Sequence, residues 1–148
     1  MTEVSPARLW VMRAMYLFMA VGIANMVWPL ILSHDSSVPR MTGVAWALIG
    51  TIGLLALLGL RYPLRMIPLL MVELTWKAIW LLAFALPRWL DGTLDEPMRT
   101  SVFETSFGAI LLLVIPWRYV WANYVVASGD PWTFRRPQRE GGAARAAS

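Results

Sequence analysis

The sequence predicts an all-α integral membrane protein, a bundle of four transmembrane helices, from three observations. Hydrophobic residues make up 58% of the 148 residues and charged residues 15%, whereas a soluble domain has about 45–50% and about 25%. The apolar residues form four runs without period-two alternation, which argues against the strands of a membrane barrel. Each run is close to the roughly 20 residues that a helix needs to cross a bilayer. The four predicted helices cover about residues 9–32, 41–60, 66–86 and 101–119.

The first two helices are predicted from the two longest uncharged stretches. In the first helix, the stretch from Ala14 to Leu32 carries no charge and is too long for the apolar segment of a cleaved signal peptide. A short polar loop ending in Pro39 separates it from the second helix. The glycines and small residues of the second helix favour close packing, either against another helix of the same chain or against a second copy.

The third predicted helix follows a tight basic turn, Arg61–Arg65, in which Pro63 disfavours helix at the residue before it. This helix is apolar except for Glu73 and Lys77. It is therefore the span in which two ionisable side chains require an explanation.

The fourth predicted helix follows a longer loop, residues 87–100, that contains Asp, Gly and Pro. Glu104 stands near its start and Arg118 near its end. We expect the four helices to form one domain, residues 1–126. The remaining segment, residues 127–148, is basic and rich in small and polar residues, which predicts a disordered tail.

The distribution of positive charge predicts the orientation of the helices. Cytoplasmic loops carry an excess of Lys and Arg. Of the 13 Lys and Arg residues, nine lie at the N-terminus, in the second loop and in the tail. Three lie in the other two loops, and Lys77 lies within a span. Both termini are therefore predicted to be cytoplasmic, with a bacterial inner membrane as the default location. The pI of about 10.1 then indicates anionic lipids near the basic tail as partners, not nucleic acid.

The ionisable residues inside the predicted spans are the candidate functional residues. Glu73 and Lys77 are four residues apart and share a helix face. A charge near the bilayer centre costs about 2.5–3.5 kcal/mol, so such side chains should face the interior and find partners. A rise of about 1.5 Å per residue places Arg13 near the depth of Glu73, and Asn25 near the depth of Glu104. We therefore predict an intramembrane polar network in which these residues form two pairs, with Lys77 able to extend toward Glu104.

Two interpretations of this network remain open from the sequence. In one, the polar contacts hold the bundle together and set the helix register, each contributing about 0.6–2 kcal/mol. In the other, the ionisable groups form a proton or ion relay or bind a polar ligand group. Trp76 and Trp80 flank the charges and are possible ligand-lining aromatics, although packing also explains them.

Several kinds of chemistry are excluded or unsupported. The chain has no cysteine and one histidine, which removes thiol redox chemistry, disulfides, Cys-based metal sites and a bis-histidine haem within one chain. No phosphate-binding loop, nucleophile elbow or zinc-protease motif is present. We therefore expect no cofactor, no metal and no catalytic residue.

Three segments carry a resemblance to a known kind of protein. These are Arg13–Gly22, the ending Leu-Leu-Gly-Leu-Arg-Tyr-Pro at Pro63, and Lys77–Trp80. Together they resemble small four-helix bacterial membrane proteins, uncharacterised or DoxX-like, across roughly residues 8–126. The resemblance implies a four-helix bundle that serves in some members as an accessory subunit of a redox or transport complex. The thiol-linked activity of some members depends on cysteines and does not transfer to this chain.

The sequence thus leaves three functional classes in order. The first is a non-enzymatic accessory or scaffold component that binds another membrane protein or a second copy of itself. The second is a small transporter or proton-conducting protein that uses the intramembrane charges. The third is a redox or quinone-associated subunit, which ranks last because no nucleophile–base pair or metal set is visible.

Overall fold

The computed structural model of the chain describes residues 4–129, and within this part the secondary structure is helical with no strand. The predicted disordered tail lies outside the described residues, apart from residues 127–129. The α-helices are α1 (Pro6–Met26), α2 (Trp28–Ser33), α3 (Arg40–Arg61), α4 (Ile67–Trp80), α5 (Leu86–Leu90), α6 (Glu96–Ser106), α7 (Ile110–Val114) and α8 (Trp117–Val120). Two π-helical segments, Leu81–Ala85 and Trp121–Val126, and one 3-10 segment, Phe107–Ala109, join or extend them.

These elements form membrane-length segments close to those predicted. Pro6–Ser33, Arg40–Arg61 and Ile67–Leu90 are each long and apolar enough to cross a membrane. A fourth crossing requires Glu96–Val114 and Trp117–Val126 to act together as one span. The described chain therefore has three candidate spans, or four with the bent pair, and the first two agree with the predicted bounds to within a few residues.

The third helical segment continues beyond its predicted end at residue 86. Pro87 has no amide hydrogen, so it cannot donate to the carbonyl of Ala83. The chain responds with a π-helical segment, in which the amide of Leu86 donates to the carbonyl of Leu81. Such local adjustments are how membrane helices tolerate proline, and here the helix extends to Leu90.

The predicted bounds of the fourth helix, residues 101–119, are wrong at both ends. The helix begins at Glu96, because the side chain of Asp95 accepts a hydrogen bond from the amide of Met98 at 3.0 Å and caps it. It ends before Pro116, which forces Ile115 into an extended conformation with ψ 125°. The segment that follows is bent by 68° relative to the helix before it.

The core lies where the first half of α1, the second half of α3, the start of α4 and α7 meet. The fully buried side chains with the largest volumes include Tyr16, Met12, Ile67 and Leu111. α1 contacts α3 and α7, and α4 contacts α3 and α7. Each of these four helices therefore has two of the others as neighbours.

Close contact between α1 and α3 depends on glycines. A Cβ at Gly59 would overlap the ring of Tyr16, and a Cβ at Gly53 would lie 2.7 Å from Cγ2 of Ile23. The buried small residues of α3, Gly50, Gly53, Ala56 and Gly59, thus pack within the chain, in agreement with one of the two alternatives from the sequence. Gly43 is different, since a Cβ there would have nothing within 4 Å.

Candidate functional site

The centre of the candidate site is an ion pair on α4. Nζ of Lys77 lies 3.0 Å from Oε1 of Glu73, one helical turn away. Glu73 is buried, with 5% of its surface exposed. The sequence prediction that these two side chains share a face and turn inward agrees with this geometry.

A tryptophan supplies the second donor to the carboxylate of Glu73. The indole Nε1 of Trp76 donates to Oε2 of Glu73 at 2.7 Å. The Lys77 ammonium also lies 5.4 Å from the centre of the Trp76 ring, which is a cation–π distance. Both carboxylate oxygens of Glu73 therefore have donors from the next turn of the same helix.

The fourth helical segment packs on the aliphatic part of the Lys77 side chain. A Cβ at Gly108 would lie 2.5 Å from Cδ of Lys77, so the backbone of the 3-10 segment Phe107–Ala109 rests directly on the lysine stem. Only a glycine permits this approach. The lysine stem thereby joins α4 to the fourth segment through packing, while its ammonium is held by Glu73.

Two segments that are not α-helical lie next to the site, one in the third helical segment and one in the fourth. The π-helical segment Leu81–Ala85 begins four residues after Lys77, and the 3-10 segment Phe107–Ala109 contains Gly108. α6 contacts the π-helical segment, and α4 contacts the 3-10 segment. Breaks in α-helical geometry of this kind are common near functional or strained positions.

Arg13 does not join this ion pair, and the predicted Arg13–Glu73 pair is wrong. Its Nε donates to the main-chain carbonyl of Leu60 at 3.1 Å, and its guanidinium lies 5.4 Å from the centre of the Trp10 ring. The last turn of a helix leaves carbonyls without a partner in the helix, and Arg13 binds one of those of α3.

Asn25 and Glu104 do not meet either, so the second predicted pair is also wrong. The side-chain amide of Asn25 donates to the carbonyl of Val21 on its own helix at 2.8 Å. Glu104 is exposed on α6. Of the five predicted network residues, the structure brings together Glu73 and Lys77 alone. Of the two predicted aromatics, Trp76 binds Glu73, and Trp80 is half-buried on the following turn.

Two polar residues that the sequence interpretation did not single out tie the helices together. Tyr16 is fully buried, and its hydroxyl donates to the carbonyl of Pro63 at 3.0 Å. Arg8 donates through Nη2 to the carbonyls of Leu113 and Ile115 at 3.0 and 2.9 Å. A tyrosine inside an apolar run needs a partner for its hydroxyl, and this was the available signal for Tyr16.

The hydrogen bonds of Arg13, Tyr16 and Arg8 each join two segments of the chain. Within residues 4–129 no group of three or more His, Asp or Glu side chains lies close enough to bind a metal ion. The same residues contain one salt bridge, the Glu73–Lys77 pair. Comparisons with protein-family models, with curated proteins and with solved structures returned no match to this chain.

Proposed function

We propose that this chain is a multi-pass integral membrane protein that serves as a non-enzymatic accessory or scaffold component. In this proposal its four helical segments form a transmembrane bundle with both termini in the cytoplasm, and a bacterial inner membrane is its location. The apolar helices support placement in a membrane. The positive charges of the N-terminus and the second loop support the orientation.

The observation that carries the scaffold role is that both oxygens of the buried Glu73 carboxylate have donors within the chain. Its two oxygens accept from Lys77 and Trp76. A relay needs a succession of ionisable groups within hydrogen-bonding reach, but Arg13 binds a main-chain carbonyl and Glu104 is exposed. The geometry therefore favours an ion pair that fixes the position of α4 over one that passes a proton onward.

The scaffold role makes a prediction about the ion pair that a double-mutant cycle tests. Lys77→Met leaves a buried carboxylate without its cation, and breaking one side of a buried pair costs about 3–5 kcal/mol. We expect Lys77→Met and Glu73→Gln each to lower the thermal unfolding temperature in detergent. The double variant should recover much of the loss, because it leaves no uncompensated charge.

Proton flux in vesicles separates this role from conduction. Purified chains are reconstituted into liposomes, and acidification is followed after a pH step. A scaffold leaves the flux at the level of empty vesicles in the parent and in every variant. A relay would give flux in the parent and none in Glu73→Gln. Glu104→Gln is the matched control for the unfolding measurements. If the chain is a scaffold, removing the charge of this exposed carboxylate should leave the unfolding temperature unchanged.

A further inference from the structure

A second cluster of charge lies at the turn between α3 and α4, away from the ion pair. The guanidinium carbons of Arg61 and Arg65 lie 5.5 and 5.8 Å from the centre of the Tyr62 ring. The turn brings them there: Pro63 is buried, and the amide of Met66 donates to the carbonyl of Tyr62 at 3.1 Å. Two arginines thus share one aromatic ring, and all three side chains are exposed.

This cluster has an excess of positive charge that the described chain does not neutralise. The one salt bridge within residues 4–129 is between Glu73 and Lys77. A third guanidinium contacts the same end of α3, since Arg13 binds the carbonyl of Leu60, the residue before Arg61. The repulsion between these like charges is unfavourable, and a bound anion would offset it.

Helix dipoles explain only part of this arrangement. Arg61 is in the last turn of α3, where a cation is favourable. Arg65 is two residues before the first residue of α4, and a cation near a helix N-terminus is unfavourable. The Tyr62 ring stabilises the Arg65 cation through a cation–π contact, and a bound anion would stabilise it further.

The position of the turn indicates which kind of anion this cluster would bind. It joins the ends of two candidate spans, Arg40–Arg61 and Ile67–Leu90, so in a membrane it lies at headgroup level. Tyrosine favours this level, and arginine binds phosphate oxygens through two parallel hydrogen bonds. A phospholipid headgroup supplies the phosphate at that depth, together with acyl chains for the apolar helix surfaces.

We propose that Arg61, Tyr62 and Arg65 form a binding site for the phosphate of an anionic phospholipid. The two guanidiniums, whose carbons lie 5.5 and 5.8 Å from the centre of the tyrosine ring, contact the phosphate oxygens, and Arg13 adds positive charge at the same end of α3. The inference rests on the placement of this chain in a membrane and goes beyond the scaffold role.

Native mass spectrometry of the full chain tests the proposal. The protein is released from micelles that contain equal parts phosphatidylglycerol and phosphatidylcholine, and the retained lipids are counted. We expect the parent to retain phosphatidylglycerol preferentially. Each arginine removed should lower this preference about fivefold, so Arg61→Gln/Arg65→Gln should lower it by about 25-fold.

The matched control keeps the net charge of the double variant. Arg40→Gln/Arg99→Gln removes two exposed arginines, one at the start of α3 and one near the start of the fourth segment. This variant should retain the lipid preference of the parent. An equal loss in both double variants would overturn the proposal, because net charge alone would then explain the binding. An unchanged preference in Arg61→Gln/Arg65→Gln would overturn it as well.

Competition on the parent chain distinguishes the lipid from free phosphate and does not depend on the folding of a variant. Excess inorganic phosphate should leave phosphatidylglycerol bound. Its displacement by phosphate alone would show a site for free phosphate and overturn the lipid assignment. The parent should insert equally well into pure phosphatidylcholine vesicles, so a failed lipid test is distinguishable from a failure of membrane placement.

Discussion

Gly59 and Gly43 lie on the same helix but in opposite surroundings, and together they test the packing of α1 on α3. A Cβ at Gly59 would overlap the ring of Tyr16, whereas a Cβ at Gly43 meets nothing within 4 Å. Overpacking a tight contact costs about 1–3 kcal/mol, and Gly→Ala in an open helical position gains about 0.5–1 kcal/mol.

We therefore expect Gly59→Ala to lower the thermal unfolding temperature in detergent and Gly43→Ala to leave it unchanged or raise it. Gly59→Ala should also weaken the hydrogen bond from the Tyr16 hydroxyl to the carbonyl of Pro63, because the ring must move. Equal unfolding temperatures for the two variants would contradict the contact between Tyr16 and Gly59.

At the scale of single residues, the sequence predicted the pair on one helix and missed the pairs between helices. Glu73 and Lys77 follow from the i, i+4 geometry of any helix. The Arg13–Glu73 pair was inferred from depth alone, and depth does not specify which way a side chain points around the helix. Arg13 and Arg8 instead bind main-chain carbonyls. Every residue has such a carbonyl, so opposite charges in the sequence do not indicate these partners.

Among the elements, the end of α7 joins two distant parts of the sequence. Pro116 has no amide hydrogen, so the carbonyl of Leu112 accepts from the indole Nε1 of Trp117 at 2.8 Å. The carbonyls of Leu113 and Ile115 accept from Arg8. The break in the fourth segment is thus stabilised by an arginine from the start of α1.

This arrangement predicts that Arg8 and Pro116 are energetically coupled. Arg8→Gln should destabilise the parent, because the part-buried carbonyl of Ile115 would lose its donor. In a Pro116→Ala background the helix can continue and supply its own donors, so Arg8→Gln should then cost less. The expected coupling is about 0.5–3 kcal/mol, measured from thermal unfolding of the four chains in detergent. Strict additivity would show that Arg8 does not stabilise the break.

The sequence predicted the helices where long apolar runs decide the structure, and failed where local capping decides it. α3 agrees with its predicted bounds to one residue at each end. The fourth segment begins five residues earlier than predicted because Asp95 caps it and Pro97 suits a first turn. That signal was present in the sequence, but the low hydrophobicity of residues 96–100 outweighed it.

At the scale of the whole molecule, the position of the residues after Val114 determines on which side of the membrane the chain ends. α7 ends against α1, since Arg8 binds its last carbonyls. The first residues of α1 and the residues after Val114 therefore lie at the same end of the molecule. The chain after the 68° bend includes Trp117, Trp121 and Tyr124, which are residue types that favour the membrane interface.

A chain without cysteine permits a direct test by single-cysteine labelling in sealed cells. Ser5→Cys, Leu64→Cys and Ser128→Cys should react with a membrane-impermeant maleimide only after the cells are opened, because they are predicted to face the cytoplasm. Ser37→Cys and Thr93→Cys, in the two opposite loops, should react in intact cells. If Ser128→Cys reacts from outside while the other four variants react as expected, the bent pair Glu96–Val114 and Trp117–Val126 does not complete a crossing, and the four-span arrangement with both termini inside is wrong.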